Sequence, residues 1–326
     1  MFKNKTILVT GGTGSWGYEL TKQLLKKDPE KIIIYSRGEL AQVKMERFFK
    51  NKKITFVIGD IRDENSVDRI MSNDIDYAIH LAALKHVPIC ENHPQEAIKT
   101  NIIGTTNLVN AAIKYKIKMF VDVSTDKAVS PTNLYGFTKA TGERIVIQAN
   151  NLTTDTDFIC VRGGNVLGSN GSVVPLFIDQ IKNNNKVTIT SSEMTRFFLT
   201  LPEAISLLFQ AIENSVGGET FVMNMPAFYI SDIVQVLINK YGNKDTIIEE
   251  IGIREGEKLD EVLISEHESC RSYIFNKNFF VILSDLKINR INKHKDLLKV
   301  NFIKFSSSNN IKPFKDINKL LKKGGY

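Results

Sequence analysis

Tryptophan occurs once in this 326-residue chain, cysteine three times and histidine five times, and no apolar run approaches the roughly 18 residues that span a bilayer. The missing run excludes a transmembrane helix. The chain enters a strand-like segment, Thr6-Ile7-Leu8-Val9-Thr10, without the apolar core of a signal peptide, so a cytoplasmic protein with no membrane partner is expected. Cys90, Cys160 and Cys270 lie far apart, with no Cys-x-x-Cys pair and no histidine at a ligand spacing. That excludes a disulfide framework and a zinc knuckle, predicts no metal, and leaves the cysteines as reduced packing residues. A strong charge of one sign is also absent from most of the chain. The formal net charge is +7, but residues 276–326 hold 12 Lys+Arg against 3 Asp+Glu, so the rest stands at about −2 by difference. A basic tail on a nearly neutral body reads as solvated surface or an oligomer contact, and nucleic-acid binding is not expected. There is no internal repeat, and the Ser306–Asn310 cluster reads as a loop.

What is present is an ordinary globular composition, 42% hydrophobic and 24% charged. Short β-rich runs at Ile7–Thr10, Lys31–Ser36, Ile54–Gly59, Tyr77–Leu81, Met119–Ser124 and Phe158–Val161 read as buried parallel strands. Between them, Tyr18–Lys27, Glu39–Phe49, Gln95–Lys114 and Tyr135–Ala149 repeat their apolar residues at helical spacing. The alternation predicts an α/β fold, a Rossmann-like doubly wound parallel sheet with a smaller C-terminal substrate-binding lobe. The expected division is a dinucleotide-binding domain over 1–163, with part of 195–228 packing back on it. A substrate lobe over 164–280 and a basic C-terminal segment over 281–326 complete it.

The first strand runs into Thr10-Gly11-Gly12-Thr13-Gly14-Ser15-Trp16-Gly17, placing glycines at 11, 14 and 17 just before a helical pattern. Such glycines let backbone N–H groups approach a pyrophosphate at a helix N-terminus. The second strand ends in Tyr35-Ser36-Arg37, where NAD binders carry an acid for the ribose hydroxyl; a hydroxyl and a guanidinium suit a 2′-phosphate, so NADP is favoured, with Glu39 close by as the complicating charge. Asp60, after the third strand, could accept from the adenine amino group or cap the next helix.

Tyr135 and Lys139 stand four apart at the start of a helix announced by Pro131 and capped by Thr132 or Asn133, so they share a face. An ammonium beside a phenol lowers the phenol pKa and makes Tyr135 a base for an alcohol. Asp126-Lys127 directly follows the fifth strand, where ligands of such sheets bind. An amine and a carboxyl side by side can take one proton and deliver another; the alternative is a surface ion pair in a loop approaching a helix.

Seven runs then carry a family resemblance: Thr10-Gly-Gly-Thr-Gly-Ser15, Leu81-Ala-Ala-Leu-Lys85-His-Val-Pro88, Lys99-Thr-Asn-Ile-Ile-Gly104, Ser124-Thr-Asp-Lys-Ala128, Tyr135-Gly-Phe-Thr-Lys139, Met194-Thr-Arg-Phe197 and Gly256-Glu-Lys-Leu259. Together with Ser306-Ser-Ser-Asn-Asn310, the chain resembles the inverting UDP-N-acetylglucosamine 4,6-dehydratases of the pseudaminic acid pathway, which are extended short-chain dehydrogenase/reductases. The resemblance implies oxidation at carbon 4 by Tyr135 and Lys139 with tightly held, recycled NADP, Lys127 as base at carbon 5 and Asp126 as acid at carbon 6. Thr125 would orient the sugar hydroxyl. Thr13, Ser15, Trp16, Ile61, Ala82 and Lys85 would join the cofactor site, and Lys85, Asn165, Val173, Arg196, Arg254 and Glu257 would hold the UDP-sugar. A homo-oligomer, a hexamer in the family, is also implied.

Two positions depart from the family pattern. Gly163 stands where the family has Tyr, removing an aromatic beside the sugar pocket, and Gly38 stands where it has Asp, near the 2′-phosphate. Relatives that retain configuration at carbon 5 often carry Met at the Tyr135 position, as some inverting ones do, so Tyr135 tilts toward inversion without deciding it. A UDP-sugar 4-epimerase or 4-reductase would share the fold and Tyr135/Lys139 but need no Asp126-Lys127. A non-catalytic NADP-sensing regulator would have no reason to keep the Tyr-x-x-x-Lys.

Overall fold

The computed structural model describes residues 1–169, 172–284, 294 and 296–326. The first half alternates as the pattern predicts: β1 (Thr6–Thr10), α1 (Ser15–Leu25), β2 (Lys31–Ser36), α2 (Glu39–Phe49), β3 (Ile54–Ile58), α3 (Glu64–Met71) and β4 (Tyr77–His80). Then come α4 (Val87–Asn92), α5 (Pro94–Ile98), a π-helical turn over Lys99–Ile103, α6 (Gly104–Lys114), β5 (Met119–Thr125), a 3-10 turn at Asp126–Ala128, α7 (Leu134–Gln148) and β6 (Asp157–Gly163). The second half contains β7 (Asn165–Leu167), α8 (Val173–Asn184), β8 (Lys186–Ile189), β9 (Thr195–Thr200), α9 (Leu201–Asn214), β10 (Thr220–Met223), β11 (Ala227–Tyr229), α10 (Ile230–Tyr241) and β12 (Ile247–Glu250). The chain closes with β13 (Val262–Ile264), α11 (Glu266–Ser269), β14 (Ser272–Asn276), β15 (Phe279–Ile282), β16 (Leu298–Lys299), β17 (Phe305–Ser306) and α12 (Lys315–Lys323).

Among the described residues the main sheet runs β16-β14-β15-β10-β6-β5-β4-β1-β2-β3. From β3 to β10 every pairing is parallel, and β15, β14 and β16 continue the sheet antiparallel. The strand order reverses beside β1, so the crevice between β1 and β4 opens at their carboxyl ends, where doubly wound sheets bind ligands. Apolar runs buried on both faces are what this sandwich needs: Leu20 and Leu24 of α1 and Leu208 of α9 cover one face, Val67, Leu108 and Val146 of α3, α6 and α7 the other. A third core joins Phe177 of α8, Ile233 and Leu237 of α10 and Leu320 of α12. No described helix is long and apolar enough to cross a membrane.

Several expectations need correction. The third strand is an edge strand rather than a buried one, with Ile58 at 59% exposure. The helix expected over Gln95–Lys114 is interrupted by the π-helical turn, and α3, anticipated only as the helix that Asp60 could cap, spans Glu64–Met71. Cys90 and Cys160 pack inside, but Cys270 is exposed, with its thiol 3.0 Å from the His267 carbonyl. The C-terminal segment is not simply solvated: Ser306 and Ser307 are wholly buried, and α12 buries Ile317, Leu320 and Leu321 while its lysines face out. Residues 285–293 and 295 of that segment lie outside the described residues.

One buried ion cluster ties the two halves together. Arg162 on β6 donates to both carboxylate oxygens of Glu143 on α7 at 3.0 and 2.6 Å, to Glu268 on α11 at 3.0 and 3.2 Å, and to the Leu263 carbonyl at 2.9 Å. Burial alone would raise the Glu268 carboxyl, yet the Arg162 charge and hydrogen bonds hold it down to about 2. A carboxyl depressed on folding stabilises the fold above its unfolded pKa, and that contribution disappears as the pH falls through the folded value. Glu268→Gln should therefore lower stability at neutral pH by about 3 kcal/mol. In urea titrations the gap from the unaltered protein should close between about pH 4.5 and 2; a gap of constant size across that range would refute the coupling.

Candidate active site

The carboxyl ends of β1, β2, β4, β5 and β6 open into one cavity of about 990 Å3 that continues under the second lobe. Its wall includes all the expected site residues except two, Gly17 and Asp126. A Cβ on Gly17 would stand 1.9 Å from the Gly12 carbonyl oxygen, so this glycine lets α1 pack on the turn rather than touch a ligand. Gly11 has φ +66° and approaches Ala82, whose backbone a Cβ would meet at 2.7 Å. At Gly14, by contrast, a Cβ would meet only the Gly11 oxygen at 3.5 Å, so the space beside it is kept for an occupant of the cavity. Gly14 is also the N-cap of α1 with no side-chain cap bond, leaving first-turn N–H groups for an anion, and Thr13, Ser15 and Trp16 line the same stretch. These residues fit a dinucleotide pyrophosphate.

At the end of β2, Ser36 and Arg37 line the cavity, and Gln42 donates to the Ser36 hydroxyl at 3.1 Å. Gly38, where the family has Asp, is the N-cap of α2 and offers no side-chain acceptor. The N-terminus of α2 is thus a second end without a side-chain cap beside Arg37, although Glu39 places a carboxylate in its first turn. Asp60 does not cap α3, because Asp63 does, accepting from the Asn65 and Ser66 N–H groups. Instead Asp60 Oδ2 takes Arg62 Nε and Nη2 at 2.8 and 2.7 Å, with Ile61 next to it in the wall.

The 3-10 turn after β5 sets the chemistry. Asp126 is 1% exposed; its Oδ1 accepts from the Thr125 hydroxyl at 2.9 Å and from Lys127 Nζ at 3.1 Å, while its Oδ2 is buried without a partner. On the other side, Lys127 Nζ lies 3.2 Å from Glu261 Oε1. This is no surface ion pair. Burial would lower the Lys127 pKa, but the Asp126 and Glu261 charges outweigh it and raise the ammonium above an ordinary lysine. Asn133 caps α7 by accepting from the Gly136 N–H at 2.9 Å, and so sets Tyr135 and Lys139 against this turn. The expected depression of the Tyr135 phenol is not what the protein by itself produces. Burial raises it, and Lys139, Lys127 and Thr125 only offset part of that. Lys139 is itself engaged by Asp122, a fully buried carboxylate in mid-β5, at 2.9 and 3.1 Å. Behind this pair, His80 is held neutral, its pKa pushed down to about 3 by burial and by Lys139.

The second lobe contributes Asn165, Val173, Arg196, Arg254 and Glu257 to the same cavity, and Lys85 faces it from the loop after β4. Arg196, expected to hold the UDP-sugar, lines the cavity but commits most of its guanidinium to the protein. Its guanidinium donates to the Thr195, Lys258 and Leu259 carbonyls at 2.8, 2.9 and 3.1 Å and lies 3.7 Å from Glu261. Arg254 is exposed at the rim, and Glu257 has a buried Oε2 without a partner. Their loop is pinned at Gly256, whose carbonyl accepts from Thr132 at 3.1 Å and from Asn133 at 2.8 Å. Gly256 has φ +76°, and a Cβ there would come within 2.9 Å of Asn133 Cβ, so only glycine allows this approach. The aromatic missing at Gly163 does not leave a hole: a Cβ there would point at the sulfurs of Met223 and Met225, 3.2 and 3.8 Å away.

Sequence reasoning missed Asp122, Glu261, Met223 and Met225. Asp122 had a signal, a lone charge inside the apolar run Met119-Phe-Val-Asp-Val. Glu261 sat two residues beyond a recognised motif, and the methionines had no signal, being ordinary apolar residues on another strand. Among the described residues no group of His, Cys, Asp or Glu could hold a metal ion.

The parallel sheet, the glycine cradle and the Tyr135/Lys139 helix over one cavity define an extended short-chain dehydrogenase/reductase. Residues 7–283 match the pattern of the polysaccharide biosynthesis protein family. The inverting UDP-N-acetylglucosamine 4,6-dehydratase of Campylobacter jejuni is 40% identical over 323 residues, 95% of this chain and 94% of that protein. A UDP-glucose 4-epimerase of Rickettsia bellii is 44% identical over 278 residues, 83% of this chain and 81% of that one. The X-ray structure of Pen from Bacillus thuringiensis superposes with a TM-score of 0.93 at 38% identity, covering 100% of this chain and 99% of that chain. The chain belongs to the polysaccharide biosynthesis protein family, alongside the inverting dehydratases it resembles.

Asn133 both caps α7 and pins the Gly256 loop. Asn133→Ala should lower stability by about 1 kcal/mol and speed amide hydrogen exchange at Arg254–Glu257; unchanged exchange there would mean the loop is held by other contacts.

Proposed function

We propose that this protein is an NADP-dependent UDP-N-acetylglucosamine 4,6-dehydratase, inverting at carbon 5, that makes a UDP-2-acetamido-2,6-dideoxy-4-keto-hexose for surface glycan synthesis. The observation that carries this is the 3.1 Å contact of Lys127 with Asp126 beside Tyr135, with the second Asp126 oxygen buried and unpartnered. An oxidoreductase acting on an alcohol needs Tyr135 and Lys139 but no such pair. Elimination needs a base for the carbon-5 proton and an acid for the carbon-6 hydroxyl.

Tyr135 would take the proton of the carbon-4 hydroxyl, with Thr125 orienting it. Lys127 Nζ would remove the carbon-5 proton once the neighbouring carbonyl acidifies it, and Asp126 would protonate the leaving hydroxyl. NADP when bound supplies the hydride acceptor and donor. Gly11, Thr13, Gly14, Ser15, Trp16, Ile61, Ala82 and Lys85 would line its site together with Tyr135 and Lys139, with Ser36, Arg37 and the α2 N-terminus at the 2′-phosphate. Residues 1–163, with β10, β14 and β15 completing the main sheet and α9 covering it, would serve as the cofactor domain, and the remainder of 164–280 as the UDP-sugar lobe. Asn165, Val173, Arg254 and Glu257 of that lobe, with Lys85 from the loop after β4, would meet the nucleotide sugar, while Arg196 holds the 257–261 loop. A hexameric assembly is what the family resemblance implies, and the cytoplasmic location expected from the sequence belongs to the same reading.

Because the hydride removed is returned in each cycle, the protein should purify with NADP bound and turn over without added cofactor. Stoichiometric consumption of added NADP or NADPH would sink the reading. With UDP-N-acetylglucosamine in ordinary water, mass spectrometry should find a product lighter by one water, and in deuterated water NMR should find deuterium at carbon 5. Lys127→Gln should lower that turnover about 10²- to 10⁴-fold. Since Lys127 is largely buried between carboxylates, its folding must be verified alongside. The Rickettsia relative named as an epimerase supports a second reading, 4-epimerisation, whose product keeps its 6-hydroxyl and its mass.

Arg37 and the uncapped α2 end should make NADP bind more tightly than NAD. Arg37→Ala should cut that preference by roughly ten-fold, the weight of one charge-assisted contact; equal binding of the two cofactors by the unaltered protein would refute the assignment.

A further inference from the structure

Lys127 and Asp126 have parts in the proposed elimination, and beside them stands a carboxylate that has none. Glu261 is 2% exposed and lines the cavity, and while its Oε1 reaches Lys127 its Oε2 is buried without a partner. Its position is fixed by the C-terminal segment. The Ser307 N–H donates to the Glu261 carbonyl at 2.8 Å, and the Glu261 N–H donates to the Ser307 hydroxyl at 2.9 Å. That hydroxyl in turn bonds Thr195 Oγ1 at 2.8 Å, one residue from Arg196. Such a clamp is more than a loop carboxylate needs.

We propose that Glu261 is a positioning residue that holds Lys127 Nζ at the end of β5 within reach of Asp126, so that the transfer the elimination needs can run between those two groups. This rests on the dehydratase reading. Elimination requires a neutral amine and a protonated acid, whereas the resting pair is an ammonium and a carboxylate. One transfer across the 3.1 Å contact produces both required forms: the Lys127 N–H bond breaks, an O–H bond forms at Asp126, and net charge is unchanged. A transfer to Glu261, equally near at 3.2 Å, would waste the proton, because Asp126 would stay ionised. Arg196, 3.7 Å from Glu261 Oε1, stabilises the Glu261 carboxylate and disfavours that route. The groups facing Lys127 are Asp126 on its own turn, Glu261 before β13, Arg196 on β9, Tyr135 on α7, and half-buried Lys258, whose ammonium bonds the Val129 carbonyl at 2.9 Å. Of these only Asp126 and Glu261 are acceptors within hydrogen-bond reach of Nζ.

The test compares Glu261→Gln and Glu261→Asp in the NADP-bound protein. Competitive acetylation with acetic anhydride between pH 8 and 10, read by peptide mass spectrometry, reports the neutral fraction of Lys127 whether or not the protein turns over. Removing one of two flanking carboxylates shifts such a group by a unit or more, so Glu261→Gln should label Lys127 roughly ten-fold faster, while Glu261→Asp labels close to the unaltered rate. In dehydration assays Glu261→Gln should lose at least about ten-fold in kcat despite its larger neutral fraction, because Nζ is no longer held against Asp126, with KM nearly unchanged, since the residues proposed to hold the nucleotide lie elsewhere. Unaltered labelling in Glu261→Gln, labelling in Glu261→Asp as fast as in Glu261→Gln, or an unchanged kcat would each overturn the proposal. If the unaltered protein forms no dehydrated product, the functional reading fails by itself, and the labelling arm still decides whether Glu261 governs Lys127.

Discussion

Withdrawing a lysine ammonium from water costs several kcal/mol unless charges of opposite sign meet it in good geometry. At the end of β5, Lys127 has two such charges, one from the adjacent Asp126 and one from Glu261, 134 positions further along the chain. A short chain of contacts in the second half holds the second in place. Glu261 can stand there because Ser307 clamps its backbone, because β13 pairs with β17, and because Arg196 spends its guanidinium on the carbonyls of the 258–259 turn. The C-terminal segment is therefore part of the site's support, and its serines are buried for that reason.

The same economy of charge recurs deeper in the sheet. Asp122 neutralises Lys139, and Arg162 gathers Glu143 and Glu268. In each case a cation and its carboxylates come from different elements, so the ion pairs register those elements against one another as well as satisfying the charges. One consequence is that Lys139 does not act on Tyr135 as an isolated positive charge. The phenol's environment is set by burial first and by the surrounding cations second.

Steric room is handled as economically. Gly14 keeps space open for an occupant and Gly256 admits the loop against Asn133, whereas the methionines near Gly163 occupy the direction an aromatic side chain would take. A Cβ on Gly164 would meet Phe197 Cβ at 2.7 Å and Asp126 Oδ2 at 3.2 Å, so the free Asp126 oxygen owes its surroundings to a missing side chain.

The linear sequence by itself determined the parallel sheet, the cradle at Gly11–Gly17, the α7 face carrying Tyr135 and Lys139, and the placing of Asp126-Lys127 after β5. These depend on periodicity and on short fixed spacings, which a chain carries locally. It also marked Ser36-Arg37 as the electropositive end of the cleft. Only the tertiary structure decided that β3 is an edge, that Arg196 commits most of its guanidinium to the protein, that Asp63 rather than Asp60 caps α3, and that Lys127 is buried between two carboxylates. Each of these turns on which distant segment arrives beside a residue, and on whether burial or a neighbouring charge then dominates its protonation; neither quantity exists until strands and loops remote in the chain have packed together.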